Sequence, residues 1–212
     1  MNLFHRRHSL LIALSLVSCL ALPASALAQS SDYLTAVELV ERLRQGGHIL
    51  YFRHAQTDRS QEDQHPVKLE DCSTQRNLSA EGRQQATQIG VHMKRLGIPI
   101  GKVTSSPYCR CVETAQLAFG RSVITDDNLY FAMTAQAEER QRISRVLKQR
   151  LTQKPAAATN DIIVSHTANL REATGIWPKP EGVIWVIKPD HSGGYQALGK
   201  IDPSEWQGLP DQ

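Results

Sequence analysis

Apolar positions follow two different rhythms along this chain. Over 35–45, Val37, Leu39, Val40 and Leu43 fall at helical spacing, and Gly46-Gly47 follows as a helix stop. His48-Ile49-Leu50-Tyr51-Phe52 is then an almost unbroken apolar run, the mark of a strand buried on both faces. That run ends at Arg53-His54. Residues 57–77 are polar and aperiodic, which predicts a long loop; a loop of that length in a compact domain is usually functional or flexible. Ser79 has the features of an N-cap, with Glu81 favourable in the first turn, and the helix it opens runs to about Leu96 before Gly97. Further strands are expected at 103–106, broken by Pro107, and at 161–165, halted at His166. Helical segments are expected at 110–119, 135–151 and 170–174, the second a polar surface helix rich in Arg and Gln. Residues 183–187 and 195–201 read as closing strands, with Gly193-Gly194 at the turn between them. Strands alternating with helices predict an α/β domain around a largely parallel sheet.

The first residues do not fit this pattern. Arg6 and Arg7 precede an apolar run from Leu10 to Leu22, then Pro23 and Ala26-Leu27-Ala28. A basic segment, an apolar segment and an A-x-A site are the three parts of a secretory signal peptide, here 1–28, leaving a domain at 29–212. The run is short of the ~20 residues that a membrane-spanning helix needs. Leu16-Val17-Ser18-Cys19 also resembles a bacterial lipobox, which would leave a lipid anchor on Cys19. Either route exports the protein; the periplasm of a Gram-negative bacterium is the expected compartment.

Composition changes the picture little. Hydrophobic residues make up 41% and charged residues 21%, ordinary for one globular domain. Loss of 1–28 leaves 22 basic against 21 acidic residues, a net charge of +1 that gives no field for nucleic acid. Cys72, Cys109 and Cys111 remain, and an oxidising compartment favours a disulfide. Cys109 and Cys111 are too close in sequence to be each other's partner, so Cys72 is expected to pair with one of them and leave the other free. His48, His65, His92 and His191 show no ligand spacing and read as surface or loop residues; no metal and no cofactor is called for.

The chemistry lies at strand ends. Arg53-His54, the stretch from Ser105 to Glu113, and His166 each follow a predicted strand. The carboxyl ends of strands form the ligand crevice of open α/β sheets, so two arginines and two histidines would converge there.

Four segments carry a resemblance to a known family. They are Phe52-Arg53-His54-Ala55-Gln56-Thr57; Leu78-Ser79-Ala80-Glu81-Gly82-Arg83-Gln84-Gln85-Ala86; Ser105-Ser106-Pro107-Tyr108-Cys109-Arg110-Cys111-Val112-Glu113-Thr114-Ala115; and Val164-Ser165-His166. In that order they resemble the signatures of the histidine phosphatase superfamily, also called phosphoglycerate mutase-like, over about 47–190. The resemblance implies a three-layer α/β/α sandwich and a phosphatase working through a phosphohistidine intermediate. His54 would be the nucleophile, Arg53 and Arg110 the forked donors to phosphoryl oxygens, and His166 a further donor. The charge work would then need no metal. Thr57, Arg76 and Asn77 are expected substrate contacts, with Asp71 beside them, and Glu113 is expected to hold an arginine in place.

This chain departs from the family pattern at three points. Ala55 stands where the family usually has glycine after the nucleophile, a change of one methyl that should be tolerated. No clear match exists for the glutamate that protonates the leaving oxygen in larger relatives; Asp127, Glu138 and Glu139 are the candidates. Thr167, not aspartate, follows His166, which resembles the short first branch with a reduced cap. A phosphorylated small molecule or glycan is the expected substrate, for example a lipopolysaccharide core heptose phosphate. The alternatives are a phosphohistidine protein phosphatase and a non-catalytic phosphate-binding protein. A phosphoglycerate mutase is disfavoured by export and by the missing acid.

Overall fold

In the computed structural model, residues 33–120, 123–190 and 192–211 are described. The expected signal peptide, Cys19 and His191 lie outside them. The elements are α1 (Ala36–Arg44), β1 (Ile49–Arg53), α2 (Ala80–Arg95), β2 (Ile100–Ser105), α3 (Cys109–Phe119), β3 (Ile124–Thr125), α4 (Ala137–Arg150), β4 (Asn160–Ser165), α5 (Thr167–Thr174), β5 (Ile184–Pro189) and β6 (Tyr195–Ile201). The six strands form one sheet in the order β3-β2-β4-β1-β5-β6. β3, β2, β4 and β1 run parallel, whereas β5 and β6 pair antiparallel at the far side.

Alternation along β1 divides the core in two. Leu50 and Phe52 face a layer with Leu39, Leu43, Ile89, Met93 and Ala115 from α1, α2 and α3. Ile49 and Tyr51 face the opposite layer, where Leu147 of α4 and Leu170 of α5 pack. A strand covered on both faces reads as a continuous apolar run, which is why β1 stands out in the sequence. The result is the expected three-layer α/β/α sandwich. The short chain between α3 and α4 holds β3 and a single 3-10 turn, Asp127–Leu129, in agreement with a reduced cap.

Several boundaries shift. α5 starts at Thr167, directly after His166, because Ala168, Asn169 and Leu170 are all buried and the packed face extends one turn further back than the apolar pattern showed. β3 was not expected: two exposed residues carry no periodicity. His48 is buried and not a surface residue, its backbone N–H donating to Asn160 Oδ1 at 3.1 Å. The loop at 57–77 contains a 3-10 turn, Cys72–Thr74, and is tied by a disulfide from Cys72 to Cys109; Cys111 is the free, buried cysteine. No helix among the described residues is long and apolar enough to cross a membrane.

Candidate active site

Parallel pairing brings three strand ends to one edge of the sheet. Arg53 is opposite Ser165, and Ser105 is opposite Val164. Past the strands, His54 N–H donates to Ser165 O at 3.0 Å and Ser106 N–H to Val164 O at 2.9 Å. His54, Ser106 and His166 are therefore held by the same backbone ladder. α3 and α5 also begin here, and helix N-termini favour an anion.

The histidines are locked as well as placed. His54 Nδ1 lies 2.9 Å from Ala55 O; a carbonyl can only accept, so Nδ1 carries the proton and Nε2 the lone pair. Its ring is 3% exposed. Burial, and then the Arg110 charge, hold its pKa well below the usual histidine value, so the ring is neutral. His166, 1% exposed, is likewise held neutral by burial and Arg110. Its Nε2 is 2.8 Å from Ser106 Oγ, and its backbone carbonyl accepts from the Tyr51 hydroxyl at 2.7 Å. The two rings meet edge-on with centroids 5.5 Å apart, and Phe131 and Tyr108 pack against His166.

Three arginines stand around this pair. Arg110 is fully buried, with its guanidinium 4.6 Å from the Tyr108 ring centroid and 5.5 Å from that of Phe131. A cation in the first turn of a helix works against the helix dipole, so this position serves the site rather than α3. Arg53 donates to Pro178 O at 3.2 Å and pairs with Glu181 at 3.4 Å. Arg76, from the long loop, is near enough to bear on the titration of Arg53, His54 and His166. The Nε atoms of Arg53, Arg76 and Arg110 are all buried without a hydrogen-bond partner. Buried unpaired donors are costly, and each of these three is a donor that an anion could satisfy.

Close contacts tie the segments around the site together. Ala55 N–H donates to Thr114 Oγ1 at 3.0 Å, and Thr114 Oγ1 donates to Arg110 O at 2.6 Å, linking the loop after β1 to α3. The Ala55 methyl packs on Leu78 and Ala86. Gln85 Oε1 accepts from Gln56 N–H at 3.0 Å. A Cβ on Gly82 would stand 1.9 Å from Gln56 O, so only glycine allows α2 this close to the loop. Glu113 does hold an arginine, Arg83, at 2.6 Å on the surface.

Not every expected contact comes to the site. Thr57 does, but its hydroxyl donates to Glu181 Oε1 at 2.8 Å. Asn77 instead braces the loop, donating to Cys72 O and Gln75 O, and Asp71 caps the 3-10 turn. Among the acid candidates, Asp127 and Glu138 are exposed, and Glu139 pairs with Arg142 along α4. None of the three is set against the site arginines. The carboxylates that are, Asp63 on Arg110 and Glu181 on Arg53, escaped the sequence reading. Both sit in aperiodic loops, and nothing local marks which distant arginine they meet.

The fold is similar to that of the protein histidine phosphatase SixA solved with tungstate (TM-score 0.53, 16% identity, 74% of this chain and 98% of that one). It is equally similar to Bacillus stearothermophilus YhfR (TM-score 0.53, 15% identity, 74% and 98%). A mycobacterial glucosyl-3-phosphoglycerate phosphatase solved with VO3 follows (TM-score 0.51, 16% identity, 72% and 97%). At such identities the likeness speaks for the fold. No curated protein sequence matches. Residues 49–130, from β1 through Arg110 to Tyr130, match the family model described as histidine phosphatase superfamily (branch 1).

Proposed function

We propose that the protein is a phosphatase that hydrolyses a phosphomonoester through a phosphohistidine on His54. One observation carries the reading: the His54 ring is buried, neutral and fixed by Ala55 O in the tautomer that leaves Nε2 as a free lone pair. In the first step Nε2 attacks phosphorus and the bond to the leaving oxygen breaks; that oxygen takes up a proton, from water when it is a good leaving group. Arg53, Arg76 and Arg110 neutralise the peripheral oxygens as charge moves. In the second step water attacks phosphorus, the P–N bond breaks, and phosphate leaves with His54 restored.

We place the reaction in the periplasm and the substrate among envelope sugar phosphates, such as a lipopolysaccharide core heptose phosphate. The signal-peptide pattern at 1–28 and the Cys72–Cys109 disulfide support export, since disulfides persist in oxidising compartments. Mass spectrometry of the secreted protein would give its mature N-terminus: a start at Gln29 is expected, a lipidated Cys19 would redirect the export route, and an unprocessed Met1 would sink export.

The test of the reaction is turnover of an aryl phosphate in the presence of a chelator, beside His54→Ala. Chelator-resistant turnover that falls by about 10³-fold or more in the folded variant is expected. Undiminished activity in His54→Ala would overturn the mechanism. Phosphate binding without turnover would identify a binding protein, and turnover of phosphohistidine peptides alone would identify a protein phosphatase.

A further inference from the structure

Asp63 makes the most specific contact in the site. It lies in the middle of the long loop, 47 residues from Arg110 in sequence, and meets it as a two-pronged pair. Its Oδ1 accepts from Arg110 Nη1 at 2.9 Å and from Arg76 N–H at 2.9 Å; its Oδ2 accepts from Arg110 Nη2 at 3.2 Å. Arg76 O accepts a further bond from Nη1 at 3.2 Å. The end of the guanidinium, formed by Nη1 and Nη2, is thereby taken.

A guanidinium has a second fork. Nε–H and the remaining Nη2–H form its side edge, and either edge can grip two oxygens of an anion. In Arg110 that side edge ends in Nε, buried and without a partner. Tyr108 and Phe131 pack beside the group, and the whole side chain has no exposed surface. With rings against the guanidinium and a carboxylate on its end, the side edge keeps a buried Nε without a protein partner, which an anion could satisfy.

We infer that Asp63 is a positioning residue, holding Arg110 by the end so that its Nε/Nη2 edge faces the phosphoryl oxygens. The inference rests on the pocket being a phosphate site. Two simpler roles make the opposite forecast. A carboxylate that merely offsets charge, or one that plugs the fork, competes with an anion, so removing it would tighten anion binding. A positioning carboxylate, once removed, leaves the arginine free to turn, so binding weakens.

The experiment is calorimetric titration of the full-length protein with inorganic phosphate, together with aryl phosphate kinetics. The proteins are wild type, Asp63→Asn, Arg110→Ala and the double variant, each checked for its melting temperature. Asp63→Asn places an amide N–H against Nη2 and is expected to weaken phosphate binding by about tenfold and to lower kcat/KM at least as much. In the Arg110→Ala background the same change is expected to have no effect on either constant, because Asp63 acts through Arg110. Equal or tighter phosphate binding in Asp63→Asn, or the same loss with Arg110 absent, would overturn the proposal. If Asp63→Asn does not fold, Asp63→Glu keeps the charge on a longer arm and carries the same expectations and the same refutations. Failure of wild type to bind phosphate at all would instead count against the pocket itself.

Discussion

The two histidine rings at the site share one electrostatic setting and do different work. Both are buried beside Arg110 and both are neutral. An unfolded histidine takes up a proton near pH 6.5, but these two cannot until the pH is far lower. Between those values the unfolded chain binds more protons than the folded one, so stability falls as pH drops through about 6.5 and levels off below the folded values. Denaturant melts at pH 8 and pH 5.5 should show this loss, and His54→Ala should make it shallower; an equal slope in the variant would mean that the other buried histidines, His166 and His48, carry the acid sensitivity. The nucleophile itself should be indifferent over the same range. Long-range ¹H–¹⁵N NMR should show His54 protonated on Nδ1 alone from pH 8 to 5.5, and a ring that titrates near 6.5 would contradict the burial argument.

At the scale of elements, the site depends on how closely α2 approaches the loop after β1. Gly82→Ala would put a methyl into the Gln56 carbonyl, two residues from the nucleophile. Overpacking of this kind costs about 1–3 kcal/mol, and the adjustment should pass to His54. A lower melting temperature together with a lower kcat is expected; lost stability at full activity would show that the loop absorbs the strain before His54. Elements were also where the sequence was most informative. β1 and β4 announce themselves because parallel strands covered on both faces are unbroken apolar runs, and Arg53-His54 and His166 stand where those runs stop. Arg110 was readable from its Ser-Pro approach. Asp63 and Glu181 were not, since their meaning lies in a partner 47 or 128 residues away, supplied by topology and by no local rhythm. Glu138 and Glu139 looked eligible for the converse reason: acidic residues at the start of a helix are ordinary dipole partners, and that is the place they occupy.

At the scale of the molecule, the pocket has two sources. The sheet edge and the head of α3 supply Arg53, His54, His166 and Arg110, whereas the loop supplies Asp63 and Arg76. Their seam is at the head of α3: Cys109 bonds to Cys72, the Cys109 N–H donates to Gln75 Oε1 at 2.9 Å, and Arg110 grips Asp63 and Arg76 O. A crosslink spanning 37 residues restricts the unfolded chain by about 4 kcal/mol. Cys111, beside His166, takes no part; burial pushes its thiol up to about 12, so it stays protonated and poorly reactive. Cys72→Ser should therefore lower thermal stability and weaken phosphate binding while the sheet remains folded. Unchanged binding would mean that hydrogen bonds alone hold the seam.

For the exported phosphatase proposed above, that seam implies a schedule. Folding of the sheet sets the histidines, whereas the Cys72–Cys109 tie closes only when two thiols have lost their hydrogens to an oxidant. A chain still reduced where it was synthesised would carry its nucleophile beside an untied loop and leave the cell's own phosphate esters largely alone. Under the proposed export, oxidation would arrive with delivery and complete that tie.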